Sequence, residues 1–241
     1  MEIIKVKDYQ EMSNEACSLI VENIKEKPKS VLGLATGSTP EGLYQQLIRK
    51  YQQKEVSFQQ ALTFNLDEYV GITIDDPNSY YYFMNEKLFN HIDIQKSNTY
   101  IPNGMVDNLD KECHDYEQLI RHAKYIDIQL LGLGLNGHIG FNEPGTSFSS
   151  RTHIVDLDES TRKANARFFD SLNEVPTKAI TMGIDTIMES KKIVLLVSGE
   201  KKADAVTRLV NGAVSEEFPA SILQKHNNVI VIADEAALKK M

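Results

Sequence analysis

The chain has 241 residues, 41% of them hydrophobic, and sets 26 Lys and Arg against 34 Asp and Glu for a formal net charge of -8. That length can bury one sizeable core, and the acidic balance speaks against nucleic acid as the main partner, because phosphate-backbone binding rests on clustered Lys and Arg. Nowhere do about eighteen apolar residues run together as a membrane span requires, and Met1-Glu-Ile-Ile-Lys-Val does not read as a signal peptide, so a cytoplasmic protein with no membrane partner is expected.

In chain order, the pattern predicts a helix over 8–25, a strand over 31–35, a helix over 41–53 and a strand over 61–66. Helices over 79–89 and 109–122 precede a strand over 126–131. A Ser-, Thr- and Asn-rich stretch near 145–177 reads as a lid. A short helix over 184–189, a strand over 193–197, a helix over 203–210 and a strand over 229–233 complete the chain. The strand runs are continuous in Val, Leu and Ile rather than alternating, which suggests burial on both faces. The expected fold is therefore α/β, a doubly wound, mostly parallel, Rossmann-like sheet in one domain spanning 1–241. Cys17 and Cys113 stand alone in helical segments and are expected to be reduced thiols.

Four segments carry chemistry. Thr36-Gly37-Ser38-Thr39-Pro40 follows the first predicted strand and precedes a helix, which fits either a phosphate cradle of free backbone N–H groups or an ordinary helix cap. It lacks the lysine of a nucleotide-binding P-loop. Asn65-Leu66-Asp67-Glu68-Tyr69 closes the second strand; adjacent carboxylates diverge, so one can face a cleft as a general base while the other makes a structural contact.

Gly132-Leu133-Gly134-Leu135-Asn136-Gly137-His138, continuing to Asn142-Glu143-Pro144, follows the third strand. Its three leading glycines spell a dinucleotide fingerprint, but Gly140, Pro144 and Gly145 break the helix that a pyrophosphate would need, so a catalytic loop is expected instead. There His138 can exchange protons near neutral pH, with Asn136 or Glu143 orienting its ring. Ser198-Gly199-Glu200-Lys201-Lys202 places lysines at a helix start, where the macrodipole opposes them unless they answer an anion; a solvated pair is the other reading. All four segments leave the carboxyl ends of predicted strands, one edge of one sheet. No metal site is expected, because neither His138 with Glu143 nor Cys113, His114 and His122 forms a ligand motif.

The segments Asn65-Leu-Asp-Glu-Tyr-Val-Gly, Asn136-Gly-His-Ile-Gly-Phe-Asn-Glu-Pro and Arg162-Lys-Ala-Asn-Ala-Arg167-Phe-Phe-Asp resemble those of the glucosamine-6-phosphate deaminases. The resemblance implies conversion of glucosamine 6-phosphate and water to fructose 6-phosphate and ammonia, in amino-sugar catabolism and N-acetylglucosamine utilisation, without a cofactor. It makes His138 the ring-opening acid/base with Asn136 and Glu143 beside it, Asp67 the enolisation base, and Thr36, Gly37, Ser38, Thr39, Arg167 and Lys202 phosphate contacts. Some members of that family carry aspartate at the place of Asn136. His153 and Val155 occupy positions where allosteric hexameric members place basic effector ligands, and this chain is shorter at its C-terminus. A monomer without such regulation is accordingly expected. The alternatives are a 6-phosphogluconolactonase, with a similar loop, or a non-catalytic sugar-phosphate sensor.

Overall fold

In a computed structural model of the chain, described at residues 1–157, 162, 169, 171 and 174–241, all five predicted strands form. They are β2 (Val31–Leu34), β3 (Leu62–Asn65), β6 (Ile128–Gly132), β9 (Ile193–Val197) and β10 (Val229–Asp234). Two edge strands join them, β1 (Glu2–Val6) and β5 (Thr99–Tyr100), giving a seven-stranded sheet in the order β1-β10-β9-β6-β2-β3-β5, parallel throughout. Neither edge strand is a long apolar run. β1 carries Glu2 and Lys5 on a rim that is half exposed, a charged edge of the kind that discourages further pairing.

The continuous apolar runs have the expected cause. On β9 and β10, Val194, Leu196, Ile230 and Ile232 enter one core, while Ile193, Leu195, Val229 and Val231 enter the other. The first core is covered by helices α1 (Tyr9–Glu26), α2 (Glu41–Gln52) and α3 (Tyr80–Lys87), through residues such as Met12, Leu43 and Met84. The second is covered by α4 (Leu109–His122), α5 (Ile184–Met188) and α6 (Ala203–Asn211), through Ile120, Ile187 and Val206. Side-chain caps set the starts of three of these helices: Asp8, Ser79 and Asn108 accept the backbone N–H of Glu11, Tyr82 and Lys111 at 3.0, 2.9 and 2.9 Å.

A second, three-stranded antiparallel sheet, β4-β8-β7, sits beyond β3 in the chain: β4 is Asp67–Tyr69, β7 is His153–Asp156 and β8 is Lys178–Thr181. None of these strands is predicted from the pattern, since all are four residues or shorter and mix charged with apolar positions. Two expectations change as a result. Asp67 and Glu68 lie in a strand of their own rather than at the close of β3, and the stretch near 145–177 contains ordered β structure at β7. Among the described residues no helix is long and apolar enough to cross a membrane.

Candidate active site

The four chemistry-bearing segments leave β9, β6, β2 and β3, which are consecutive neighbours in the sheet. From β2 the chain winds outward to β3 and β5, and then returns to the other side of β2 to lay down β6 and β9. The crevice between β2 and β6 is thus the point at which the winding reverses, where open α/β sheets take their ligands.

The loop after β6 folds back on itself. Asn136 Nδ2 donates to Glu143 Oε2 at 2.6 Å, and His138 Nδ1 stands 3.5 Å from the same oxygen. Asn136 Oδ1 also accepts the backbone N–H of His138 at 3.2 Å, so one amide holds both the Glu143 side chain and the His138 backbone. Glycine is required beneath the histidine, because a Cβ on Gly134 would meet the His138 ring at 2.5 Å. At Gly137 the backbone has φ 88°, and a Cβ would strike the Phe218 ring at 2.2 Å.

A segment that the sequence pattern does not single out braces this loop from behind. Ala220 N–H donates to Gly137 O at 2.8 Å, Gly145 N–H to Glu216 O at 2.9 Å, and Phe148 N–H to Glu216 Oε1 at 2.8 Å. Residues 216–220 therefore hold the loop near both ends, with Phe218 fully buried under its middle and the Arg208 guanidinium 4.5 Å over the Phe218 ring.

Asp67 reaches the same loop from β4. It pairs with Thr181 on β8, and Thr181 Oγ1 in turn accepts the backbone N–H of Phe141 at 3.1 Å. A Cβ on Gly140 would lie 3.5 Å from Asp67 Oδ2, so the carboxyl packs directly against the histidine loop. Burial, reinforced by the Glu68 charge, pushes the Asp67 pKa up to about 8. Glu68 has the structural contact: its carboxylate accepts the N–H groups of Tyr69, Tyr80 and Tyr81 at 2.8, 3.0 and 2.9 Å and so closes the start of α3. The two carboxylates diverge, Glu68 toward the start of α3 and Asp67 toward Gly140 of the histidine loop.

Tyr80, absent from the sequence reading, interacts with both halves of the crevice. Its hydroxyl donates to the Tyr69 hydroxyl at 3.3 Å, and burial, reinforced by Tyr69 and the Asp67 charge and opposed by Thr36, raises its pKa well above that of an ordinary phenol. Thr36 opens the turn that leads from β2 into α2. Gly37 there has φ 87°, and the backbone N–H groups of Gly37, Ser38 and Thr39 donate to no protein acceptor among the described residues. The Tyr9 hydroxyl donates to Ser38 O at 3.0 Å and accepts Gly42 N–H at 2.7 Å, which fixes the turn from outside. Ser38 and Thr39 line a cleft together with Tyr9 and Ser198.

Lys202 follows β9 in a short 3-10 turn before α6. Its Nζ donates to Leu133 O at 2.6 Å, at the start of the histidine loop, and burial lowers its pKa. Among the described residues it has no carboxylate partner. Arg167 lies outside the described residues, while nearby Arg162 donates to Val175 O at 3.0 Å. His153 and Val155 fall on β7. Cys17 and Cys113 are buried free thiols with pKa values pushed up to about 11, chiefly by burial.

A doubly wound sheet with a desolvated carboxylic acid, a histidine–carboxylate pair and an amide-rich turn along one edge defines an enzyme of acid/base chemistry on an anionic substrate. Residues 7–232 match the family described as glucosamine-6-phosphate isomerases/6-phosphogluconolactonase. A glucosamine-6-phosphate deaminase of Oceanobacillus iheyensis is 61% identical over 239 residues, covering 99% of this chain and 96% of that one. A solved structure described as a monomeric glucosamine-6-phosphate deaminase superposes with a TM-score of 0.98 at 55% identity, over 100% of both chains. A 6-phosphogluconolactonase from Thermotoga maritima shares the fold, with a TM-score of 0.77 at 20% identity over 97% of this chain and 99% of that one. The chain belongs to the glucosamine-6-phosphate isomerase/6-phosphogluconolactonase family.

Proposed function

We propose that this protein is a glucosamine-6-phosphate deaminase, an enzyme of amino-sugar catabolism that converts glucosamine 6-phosphate and water to fructose 6-phosphate and ammonia. The observation that carries this reading is Asp67: a carboxyl buried against the histidine loop, with its pKa pushed up to about 8, is a base matched to a carbon acid at neutral pH. The high identity to deaminases, together with the Phe141-Asn-Glu143-Pro ending of the loop, favours this activity over the lactonase that shares the fold.

His138 takes the proton from the anomeric hydroxyl of the closed sugar and returns one to the ring oxygen, opening the pyranose. Asn136 holds Glu143 and the His138 backbone in register, with Glu143 Oε2 3.5 Å from His138 Nδ1 to orient the ring. Asn136 carries no charge of its own, so at this position it orients and does not titrate.

Asp67 then removes the proton at C2 of the open chain and delivers it to C1. The product is a ketimine at C2, and addition of water there with departure of ammonia leaves the ketose phosphate. Thr36, Gly37, Ser38 and Thr39 supply N–H and hydroxyl donors to the phosphate, and Lys202 supplies a half-buried cation with no carboxylate partner among the described residues. Arg167 is assigned to the same phosphate from its motif. The reading takes residues 1–241 as one isomerase/deaminase domain, monomeric and cytoplasmic. The relative with a TM-score of 0.98 is itself described as monomeric.

The test is ammonia release, with glucosamine 6-phosphate and 6-phosphogluconolactone supplied separately. Release from the first, with no accelerated hydrolysis of the second, is the expected result. Lactone hydrolysis without ammonia would replace the assignment, and binding without turnover of either would leave a sensor.

A further inference from the structure

Lys202 is poorly placed to hold itself in position. It stands immediately before α6, where the helix macrodipole disfavours a cation, and it has a long side chain whose ordering costs entropy. The loop that carries it begins at Gly199, whose φ of 93° is open to glycine alone among common residues. Something must fix that backbone.

The group that does so is Asp234, the last residue of β10, buried at the carboxyl edge of the sheet. One of its oxygens accepts the Ser198 hydroxyl, and both lie 3.0 Å from the Gly199 N–H. Oδ1 also accepts the Ala237 N–H at 2.8 Å, which anchors the carboxylate to its own strand end. On the far side of the same glycine, Gly199 O accepts the Lys202 N–H at 3.0 Å. An unbroken path therefore runs from Asp234 through both peptide groups of Gly199 to the Lys202 backbone, and from Lys202 Nζ to Leu133 O on the histidine loop.

We propose that Asp234 is a positioning residue for the substrate's phosphate: it holds the 198–199 turn and with it the backbone from which Lys202 reaches the anion. The role rests on the assignment of Lys202 to the phosphate. Asp234 touches no substrate itself, and its effect is expressed wholly through the lysine. A carboxylate suits the task because both of its oxygens accept and carry charge, whereas an amide of the same shape accepts at one neutral oxygen only.

The experiment is a double-mutant cycle of Asp234→Asn with Lys202→Ala. It is read as KM and kcat for glucosamine 6-phosphate, and as the dissociation constant of inorganic phosphate. Loss of hydrogen bonds to a charged acceptor predicts a rise of roughly tenfold in KM and in the phosphate constant for Asp234→Asn, with kcat within about twofold of the parent. In the Lys202→Ala background the same substitution should add nothing, because the residue through which it acts is gone.

A KM unchanged in Asp234→Asn while Lys202→Ala raises it would overturn the proposal and leave the phosphate assignment standing. Equal effects of Asp234→Asn with and without Lys202 would also overturn it, marking a general fault in the fold. An unchanged KM in Lys202→Ala would remove the phosphate assignment and this proposal together. Should Asp234→Asn fail to fold, Ser198→Ala removes one of the same bonds while keeping the carboxylate, and a smaller KM rise that vanishes in the Lys202→Ala background is expected.

Discussion

The two halves of the crevice are built on opposite physical plans. The half proposed for acid/base chemistry, Asp67 and the loop from Gly134 to Glu143, is closely packed, with Asp67 buried and the His138 and Phe218 rings set against Gly134 and Gly137, which leave no room for a Cβ. The half proposed to take the phosphate, Thr36 to Thr39 and Lys202, offers backbone N–H groups and a partly covered ammonium around an open turn. Gly37 and Gly199 illustrate the contrast: both have positive φ, and a Cβ on either would meet nothing within 4 Å, so their backbone conformation alone calls for glycine. At Gly134 it is the space that matters. Burial tunes proton transfer and openness admits an anion, so damage to the first half should appear in kcat and damage to the second in KM.

The largest expected effect tests the buried half. Asp67→Asn keeps the shape but removes the proton acceptor, and kcat should fall by roughly 10² to 10⁴ while substrate still binds. Deuterium exchange at C2 of substrate supplied in its open-chain form should vanish in this variant and survive in His138→Gln. Exchange at the parental rate in Asp67→Asn would take Asp67 out of the mechanism.

Gly134→Ala should come next. The new methyl must displace the His138 ring it would otherwise meet at 2.5 Å. A shift of about 1 Å at a catalytic group can cost on the order of 10² in rate, so kcat should drop by about that factor with KM little changed. Steady-state kinetics would decide it, and a kcat equal to the parent's would mean that the packing does not set the histidine's position. The comparison breaks from the other side if Lys202→Ala lowers kcat and leaves KM alone.

The last effect concerns stability. Asp67 has a folded-state pKa pushed up to about 8, against about 4 in an unfolded chain, so the native state keeps a proton that the unfolded state releases. The favourable contribution is complete below about pH 4 and is lost as pH rises to about 8, with a slope on the order of 1 kcal/mol per pH unit for this one group. Asparagine has no such proton. The Tm of Asp67→Asn should therefore gain on the parent between pH 5 and pH 8, as thermal unfolding at the two pH values would reveal; parallel Tm curves would contradict the buried, protonated state. In the same range kcat/KM of the parent should climb toward pH 8 as the base ionises.

Sequence alone determined the large sheet and the address of the site. Strands buried on both faces must be apolar throughout, so β2, β3, β6, β9 and β10 stand out as runs, and the loops that follow them fall on one edge by the geometry of parallel winding. The glycines and the histidine of the loop after β6 are legible for the same reason, since local backbone demands are written in local residues. Tertiary structure decided the rest. Asp67 and Glu68 are chemically similar neighbours, and only the tertiary fold brings the α3 N-terminus to Glu68 as a cap and packs Asp67 against Gly140 of the histidine loop. The short strands β4, β7 and β8 have no period long enough to register, because their pairing is fixed by partners more than a hundred residues apart on one side. Tyr9, Phe218 and Asp234 are likewise silent in the sequence: an ordinary tyrosine, phenylalanine and aspartate acquire roles at Ser38, Gly137 and Gly199 only when contacts distant in the chain are closed.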